Sequence, residues 1–362
     1  MERGRETGKL ELKDDRMKTK VTIQEIADFT GLSKFAVSRA LSGKSGVSEQ
    51  TRDLILRAAG RLGYFKDNPA AAPAESFSKS ELPVIDDGAF GGTVVILFPN
   101  IRYQNPESIY WGPLFNGVTS RLNARGIHIL TLTEPSVDQL FTLLNPQAIR
   151  GIITLGSIST SILLEIKRLR IPVVMVDHLD PAFHCDSIFT DNLAGMQEIM
   201  LYLLRKGFRS FQFVGDITDA HSYYERWLGF RFALDEHQVP HQQISELTGK
   251  SIGNQFHETF VRHVQPDKLP EVFVCANDFW AKITIEALAG MGVAVPEHCF
   301  VTGFDNTYSE DPILATVHVD TEQLGVRAVD QMLWRISNPE SCRERKMLHA
   351  DVIVREDIAS RR

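Results

Sequence analysis

Residues 21–64 read VTIQEIADFTGLSKFAVSRALSGKSGVSEQTRDLILRAAGRLGY, and three helical patterns follow one another within this stretch. Thr22 is a predicted N-cap, with Glu25 in the first turn of the helix that it begins. Gly31 and Ser33 predict a tight turn that ends the first helix and caps the second. A helix, a turn that contains glycine and a second helix form an arrangement with which many proteins bind DNA.

The apolar residues of these three helices predict a small shared core. The second helix is expected from Lys34 to about Leu41, and the third, capped by Ser48, over residues 51–62. The residues expected in the core are Ile23, Ile26, Ala27, Ala36, Val37, Ala40, Leu54, Ile55, Ala58 and Leu62.

Charge is distributed unevenly along the chain. Residues 18–68 hold nine Lys and Arg against five Asp and Glu, a net charge of +4, whereas the whole chain carries −7. A basic segment on an acidic body is typical of a DNA-binding domain joined to a domain with another ligand.

The segments that flank the helical domain, which we place at residues 18–67, have the composition of connecting regions. Residues 1–17 are polar and of mixed charge, which predicts a disordered leader, with Met17 as an alternative start. Residues 68–92 are rich in Ala, Pro, Ser and Gly, which predicts a linker. The charged N-terminus and the lack of a long apolar window predict a cytoplasmic protein. The four cysteines are scattered, which favours free thiols over disulfides or a metal site.

Residues 93–358 predict an α/β domain. Runs rich in β-branched residues alternate with helical patterns, which is typical of parallel sheets covered by helices on both faces. Strands are expected at residues 93–98, 128–131, 151–155, 173–176, 211–214, 272–275 and 300–304. Because roughly 270 residues exceed one open sheet, we expect two lobes with a cleft between them. Lobe 1 is placed at residues 93–190 and 319–348, and lobe 2 at residues 191–318 and 349–358.

The helical stretch resembles the headpiece of the LacI/GalR family of bacterial repressors, in register along its length. The matching pieces are Val21-Thr22-Ile23, Ala27, Gly31, Val37-Ser38-Arg39, Val47-Ser48, Thr51-Arg52 and Leu62-Gly63-Tyr64. The body resembles the sensor domain of that family, which looks like a periplasmic sugar-binding protein. Its matching pieces are Val176-Asp177, Thr190-Asp191-Asn192, Arg205-Lys206-Gly207-Phe208, Arg226, Gly229-Phe230, Ala276-Asn277-Asp278, Gly303-Phe304-Asp305 and Val354-Arg355.

The resemblance implies that the second helix lies in the major groove of DNA, with Lys34, Phe35 and Arg39 facing the base edges. Lys and Arg donate to guanine, and an aromatic ring contacts the methyl group of thymine. An alternative position for Phe35 is on the headpiece core. Candidates for phosphate contacts are Ser33, Ser38, Ser48, Thr51 and Tyr64, with Thr22 as a further DNA-binding candidate. For the serines, helix capping is an equally good interpretation.

The segment after Tyr64 departs from the family. In the family, a leucine of a short hinge helix enters the minor groove at the centre of the operator. Counting from Tyr64, that position here is Pro73, and proline inside a helix costs about 3 kcal/mol. We therefore expect no leucine wedge, and residues 66–73 form either a plain spacer or a shifted hinge that begins at Pro69.

The resemblance also implies a ligand cleft lined by Asp177, Arg226, Asn277 and Asp305, at strand ends and the turns after them. Their carboxylate, amide and guanidinium groups suit sugar hydroxyls or a carboxylate. Aromatic faces for a sugar ring are expected from Tyr110, Trp111 and Phe279. As alternatives, Asp177 pairs internally with Arg226, Asp305 caps a turn, and Trp111 belongs to the core.

These patterns predict a sequence-specific DNA-binding transcription regulator, a repressor, that forms a homodimer on a palindromic operator. A sugar or sugar derivative is expected to control its affinity for DNA, with no cofactor. The chain lacks a glycine-rich phosphate loop, HExxH and GxSxG, which argues against an enzyme. The alternatives are a two-lobed solute-binding protein, a sugar-processing enzyme, and a DNA-binding protein that has lost its ligand. The residues leave open whether the ligand releases or promotes DNA binding, and whether dimers pair into tetramers.

Overall fold

The computed structural model describes residues 20–67, 92–98, 108–133, 147–240, 242–249 and 255–359. The chain forms two compact units, Met1–Phe77 and Ser78–Arg362. The predicted leader, most of the linker, and Pro69 and Pro73 lie outside the described residues. The first unit is helical and the second is a two-lobed α/β structure, so the predicted fold class is confirmed.

The first unit is built from helices with strong start and stop signals. Its described helices are α1 (Ile23–Thr30), α2 (Lys34–Leu41), α3 (Glu49–Leu62) and α4 (Tyr64–Asp67). The side chains of Thr22, Ser33 and Ser48 each accept a backbone N–H and so cap α1, α2 and α3. Helices α1 and α3 end at Gly31 and Gly63, whose φ angles of 68° and 88° lie in the left-handed region that glycine adopts without strain.

The three longer helices share one buried cluster, which consists of Ile26, Ala27, Val37, Ala40, Ile55, Ala58 and Ala59. The prediction for Leu54 is wrong, because its side chain is 52% exposed while Leu56 is buried. Successive residues lie about 100° apart around a helix. The buried face of α3 is centred on Ile55 and Ala59, so Leu54 falls on its solvent side.

The second unit contains eleven described strands and eight described helices. The strands are β1 (Thr93–Leu97), β2 (His128–Leu132), β3 (Ile149–Leu155), β4 (Val173–Val176), β5 (Asp186–Thr190), β6 (Phe211–Val214), β7 (Val272–Cys275), β8 (Phe300–Thr302), β9 (Ala315–His318), β10 (Arg345–Leu348) and β11 (Asp351–Val354). The helices are α5 (Trp111–Asn123), α6 (Thr160–Leu169), α7 (Asn192–Arg205), α8 (His221–Glu236), α9 (Phe256–His263), α10 (Asp278–Gly290), α11 (Thr321–Ser337) and α12 (Glu356–Ala359). Among the described helices, none has the length and apolar character needed to cross a membrane.

The strands of the second unit fall into two lobes. Lobe 1 holds a parallel sheet in the order β10-β5-β4-β3-β1-β2, and lobe 2 holds the parallel sheet β6-β7-β8 with the antiparallel pair β9-β11. Three segments cross from one lobe to the other: between β5 and α7, between β9 and α11, and between β10 and β11. The cleft that we expect between the two lobes lies beside these crossovers.

Close helix packing in lobe 1 fixes the helices that begin near that cleft. A Cβ atom at Gly325 of α11 would lie 2.2 Å from the carbonyl oxygen of Leu114 in α5, and one at Gly117 would lie 2.1 Å from that of Glu322. Only glycine allows the two helix backbones to approach so closely. The start of α5, with Tyr110 and Trp111, is therefore held against the start of α11.

All seven predicted strands are present, with small differences in their bounds. The sequence patterns missed β5, β9, β10 and β11. Strand β10 is an edge strand with alternating exposure, and β5 begins with a buried aspartate, so neither reads as an apolar run.

Candidate DNA-binding surface and ligand cleft

The outer face of α2 carries side chains that are free to meet a partner. Lys34, Phe35 and Ser38 are all exposed, and the Phe35 side chain is 69% exposed. The alternative that placed Phe35 on the headpiece core is therefore wrong. A cation, an aromatic ring and a hydroxyl lie together on one helical face.

Arg39 is held beside this face by its neighbours. Its guanidinium carbon lies 5.2 Å from the centroid of the Phe35 ring, within the range of a cation–π interaction. Its Nε donates to the carbonyl oxygen of Ser45 at 2.6 Å, and its Nη2 donates to the same oxygen. The ring and the loop after α2 thus restrict the rotamers of Arg39 and present it next to Phe35.

The hydroxyl candidates for phosphate contact mostly have a structural role. Thr22, Ser33 and Ser48 are the helix caps described above, and the Thr51 hydroxyl lies 2.7 Å from that of Ser48. Backbone N–H groups at a helix start attract anions, so a cap residue can also lie beside a phosphate. Tyr64 is half-buried and packs against the headpiece core.

The cleft of the second unit is organised around a buried arginine. Arg226, in the first half of α8, is only 2% exposed. Its Nη2 donates to Oδ1 of Asp305 at 3.0 Å, its Nη1 to the carbonyl oxygen of Ala276 at 2.9 Å, and its Nε to Oδ1 of Asn192 at 2.9 Å. The guanidinium carbon also lies 3.8 Å from the centroid of the Phe304 ring. Arg226 is paired with Asp305, and the alternative internal pair with Asp177 is not formed.

Asp177 lies at the end of β4, in the same electrostatic neighbourhood. The hydroxyl of Tyr110 donates to Oδ2 of Asp177 at 3.4 Å, a long hydrogen bond. Burial raises the pKa of Asp177 to about 7, although the nearby Arg226 favours the charged form. Asp177 and Asp305 both have positive φ angles, 54° and 92°, which are uncommon for residues other than glycine. Strained backbone of this kind is concentrated at functional sites.

Three further polar residues, Asn277, Tyr223 and Asn192, lie near Arg226 and Asp305. Asn277 caps α10 by accepting the N–H of Trp280 at 3.0 Å, and its Nδ2 donates to the Tyr223 hydroxyl at 2.9 Å. Tyr223 and Asn192 were missed as site residues. Tyr223 precedes Arg226 by three residues in α8, and this spacing was the available signal.

The two remaining aromatic candidates differ in their environments. Trp111 is half-buried and packs near Phe98, with ring centroids 6.1 Å apart, so it contributes to the core of lobe 1. Phe279, in the first turn of α10, is 50% exposed.

A network around Glu225 connects the cleft to the other lobe. The carboxylate of Glu225 accepts from Nδ2 of Asn192 at 3.1 Å, lies 3.2 Å from Nε2 of His221, and pairs with Nη2 of Arg345 in β10. Burial alone would raise the pKa of Glu225, but hydrogen bonds from His221 and Arg345 lower it to about 2. Because Asn192 also binds Arg226, a continuous chain of contacts runs from Asp305 to lobe 1.

Two family models match the chain. Residues 22–67 match the model of bacterial regulatory proteins of the lacI family, and residues 200–356 match the model of the periplasmic binding protein-like domain. Together these two segments cover more than half of the chain.

Relatives match over nearly the full length. The HTH-type transcriptional regulator GalR of Lacticaseibacillus casei is 25% identical over 345 residues, which are 92% of this chain and 98% of the relative. The probable HTH-type transcriptional repressor ExuR of Bacillus subtilis is also 25% identical, over 93% and 98%. The repressor PurR of Pasteurella multocida is 24% identical, over 94% and 99%.

Solved structures share the fold. A complex of the transcriptional regulator CelR with cellobiose aligns with a TM-score of 0.64 at 21% identity, over 93% of this chain and 99% of that one. The Lac repressor dimer bound to operator and the anti-inducer ONPF aligns with a TM-score of 0.57 at 19% identity, over 92% and 98%.

Proposed function

Because the chain belongs to the LacI family of bacterial regulatory proteins, we propose that it represses transcription as a homodimer on a palindromic operator under the control of a small molecule. The chain is a DNA-binding transcription regulator and its relatives are regulators, not enzymes. A regulator of this family works in the bacterial cytoplasm, and on the nucleoid while it is bound to DNA. Two headpieces related by a two-fold axis read two half-sites, which gives more specificity than one headpiece provides.

The observation that carries the DNA-binding proposal is the exposed face of α2. Lys34, Phe35 and Arg39 lie on or beside this face, and the Phe35 ring packs against the guanidinium group of Arg39. We assign guanine readout to Lys34 and Arg39, and contact with a thymine methyl group to Phe35. The capping hydroxyls at the starts of α1, α2 and α3 position phosphates against helix N-termini.

The small molecule is a sugar or a sugar derivative, and it binds in the cleft around Arg226. Asp177, Asn277 and Asp305 bind its hydroxyls, while Tyr110 and Phe279 cover its ring. Two observations support this assignment. The carboxylates of Asp177 and Asp305 both stand on backbone with a positive φ angle, and residues 200–356 match the periplasmic binding protein-like domain. CelR with cellobiose and an Enterococcus faecium LacI-family regulator with ribose have the same fold, and both hold sugars.

The substitution Arg39→Ala tests whether operator DNA and the sugar bind at separate sites, the first on the headpiece and the second in the sensor unit. An operator is first obtained by recovering protein-bound fragments of host genomic DNA and sequencing them, where a single enriched palindrome is expected. Arg39→Ala should then abolish specific binding of this palindrome, because a guanine contact, made once the Arg39 guanidinium leaves the carbonyl oxygen of Ser45, contributes about 1–3 kcal/mol at each of the two headpieces. Sugar binding should not change.

Arg61→Ala is the matched control, because Arg61 is an exposed arginine on α3. It removes the same charge from the headpiece and should leave the preference for the palindrome intact. If Arg39→Ala and Arg61→Ala lost operator affinity equally, only the net charge of the headpiece would matter. If Arg39→Ala lost operator binding and sugar binding equally, the two ligands would not have separate sites.

A further inference from the structure

Four side chains form a closed ring of contacts between the two lobes of the sensor unit. Phe189 in β5 and Arg345 in β10 belong to lobe 1, whereas His221 and Glu225 lie on α8 in lobe 2. Nη2 of Arg345 donates to the carboxylate of Glu225, and the guanidinium carbon of Arg345 lies 4.7 Å from the centroid of the Phe189 ring. Nε2 of His221 lies 3.2 Å from Oε1 of Glu225, and the His221 ring meets the Phe189 ring edge-on, with centroids 6.0 Å apart. We call these four residues the interlobe ring.

The interlobe ring is a contact that can open. The three crossovers join the lobes through the main chain, whereas the interlobe ring joins them through side chains. Phe189 is fully buried and supports the Arg345 guanidinium within the range of a cation–π interaction. The Arg345 side chain is 35% exposed, so water can replace Glu225 as its partner. The ring can therefore be present in one lobe arrangement and absent from another without the loss of a backbone hydrogen bond.

Asn192 carries the effect of the ring into the cleft. Its Nδ2 donates to Oε2 of Glu225 at 3.1 Å, and its Oδ1 accepts from Nε of Arg226 at 2.9 Å. A side-chain amide has one donor end and one acceptor end, so the carboxylate of Glu225 determines that the oxygen of Asn192 points at Arg226. Arg345 is thereby connected, through two side chains, to the central cation of the cleft.

The size of the effect follows from the exposure of the ion pair between Arg345 and Glu225. A partly exposed ion pair changes an equilibrium by a factor of about two to five. When the pair is made in only one lobe arrangement, the whole factor acts on the ratio of the arrangements. The ratio of lobe arrangements is therefore a more sensitive measure of this contact than the stability of the fold.

We propose that Arg345 is a positioning residue of the ligand cleft. Through Glu225 it holds the lobes in the arrangement in which Asn192 binds Arg226, and it sets the fraction of the protein in this arrangement. A ligand that prefers one arrangement then binds with an affinity that depends on Arg345, without any contact between the two. This effect on ligand affinity rests on the proposed function, whereas the effect on the lobes does not.

The test measures the distance between the lobes in the full-length protein, with Arg345→Met as the variant. Spin labels are attached through Asn123→Cys in α5 and Val261→Cys in α9, two exposed helical positions in different lobes, after Cys342 and Cys185 have been replaced by serine. An excess of unlabelled protein suppresses distances between copies. In pulsed electron paramagnetic resonance, the main distance of the unmodified protein should lose population to a second distance in Arg345→Met, and their ratio should change about two- to fivefold.

Arg168→Met is the matched control. Arg168 binds Glu165 at 2.7 Å with side-chain exposures of 39% and 19%, close to the 35% and 13% of Arg345 and Glu225, but both residues lie on α6 in lobe 1. It should leave the distance distribution unchanged. Arg345→Lys, which keeps a positive charge beside Glu225, should restore most of the main distance. Equal distributions in the unmodified protein and Arg345→Met overturn the proposal, and so does an equal change in Arg168→Met.

Calorimetry with glucose, galactose, ribose, xylose and sorbitol extends the test to the cleft. A sugar that binds the unmodified protein should bind Arg345→Met with an affinity changed about two- to fivefold, and Arg168→Met with the same affinity. Equal affinities in all three proteins would contradict an action of Arg345 on the cleft. If none of the sugars binds, the ligand class of the proposed function is wrong, and the distances alone decide whether Arg345 positions the lobes.

Discussion

The buried ion pair of the cleft offers the sharpest test of the site, through the substitution Asp305→Asn. This change keeps the size of the side chain and removes its charge. Asparagine also tolerates positive φ, so the φ of 92° at this position adds no penalty. The variant therefore isolates the effect of leaving the Arg226 guanidinium, 2% exposed, without its carboxylate.

The expected loss follows from the contacts that remain. Removing one partner of a buried ion pair costs about 3–5 kcal/mol. Arg226 keeps its hydrogen bonds to Ala276 and Asn192. The pKa of Asp177, about 7, should fall when the like charge of Asp305 is removed, so Asp177 would supply part of the missing negative charge. We therefore expect the low end, about 3 kcal/mol, which is more than a hundredfold in the unfolding equilibrium of the sensor unit.

The assay is urea unfolding followed by circular dichroism and tryptophan fluorescence, with separate transitions fitted for the two units of the chain. Asp267→Asn, an exposed aspartate of the same unit, is the control for loss of charge alone and should stay within about 0.5 kcal/mol. Adding Arg226→Met to Asp305→Asn should recover part of the loss, because no uncompensated charge then stays buried. A loss below about 1 kcal/mol in Asp305→Asn would refute the assignment of an essential buried pair.

Two further predictions concern the other carboxylates. Glu225→Gln should lower the free energy of unfolding by only about 1 kcal/mol at neutral pH, because the Arg345 side chain is 35% exposed. The pKa of Glu225 is lowered in the folded protein, so this difference should shrink as pH falls from about 5 towards 2, which acid titrations of both proteins would measure. Asp177→Asn should instead stabilise the sensor unit at pH 8, by about 2 kcal/mol after allowance for its partial exposure. The raised pKa makes the unmodified protein lose stability as pH rises from about 4 to 7, so the gain should vanish near pH 4, and a constant gain would contradict the assignment.

The headpiece could be predicted almost residue by residue because its signals are local. Capping side chains, the glycines that end α1 and α3, and apolar spacing act within a few residues of one another. Thr22, Ser33 and Ser48 do cap the helices that the sequence places after them. The error at Leu54 arose because three consecutive apolar residues, Leu54, Ile55 and Leu56, leave the direction of the helical face ambiguous by about 100° on either side of Ile55.

The sequence predicts which residues line the cleft, but it does not predict which of them contact one another. The Arg226–Asp305 pair joins positions 79 residues apart, and only the strand order brings them together. Strand β5 was missed for a similar reason. Its Asp186 is 1% exposed, and an aspartate in a buried strand is tolerated here because Arg335, 149 residues later, binds it at 2.8 Å. Long-range charge pairing of this kind leaves no local pattern in the sequence.

The cost of the cleft is itself an argument for its function. A buried ion pair is seldom more stabilising than apolar residues of the same size, and carboxylates on positive-φ backbone add strain. Stability alone therefore gives no reason to keep Arg226, Asp305 and Asp177 in this arrangement. The contacts of the Arg226–Asp305 pair continue from Arg226 through Asn192 and Glu225 to the opposite lobe. A ligand that displaces Arg226 or Asp305 must therefore change a contact between the lobes. It favours one lobe arrangement over another only to the extent that it binds that arrangement more tightly.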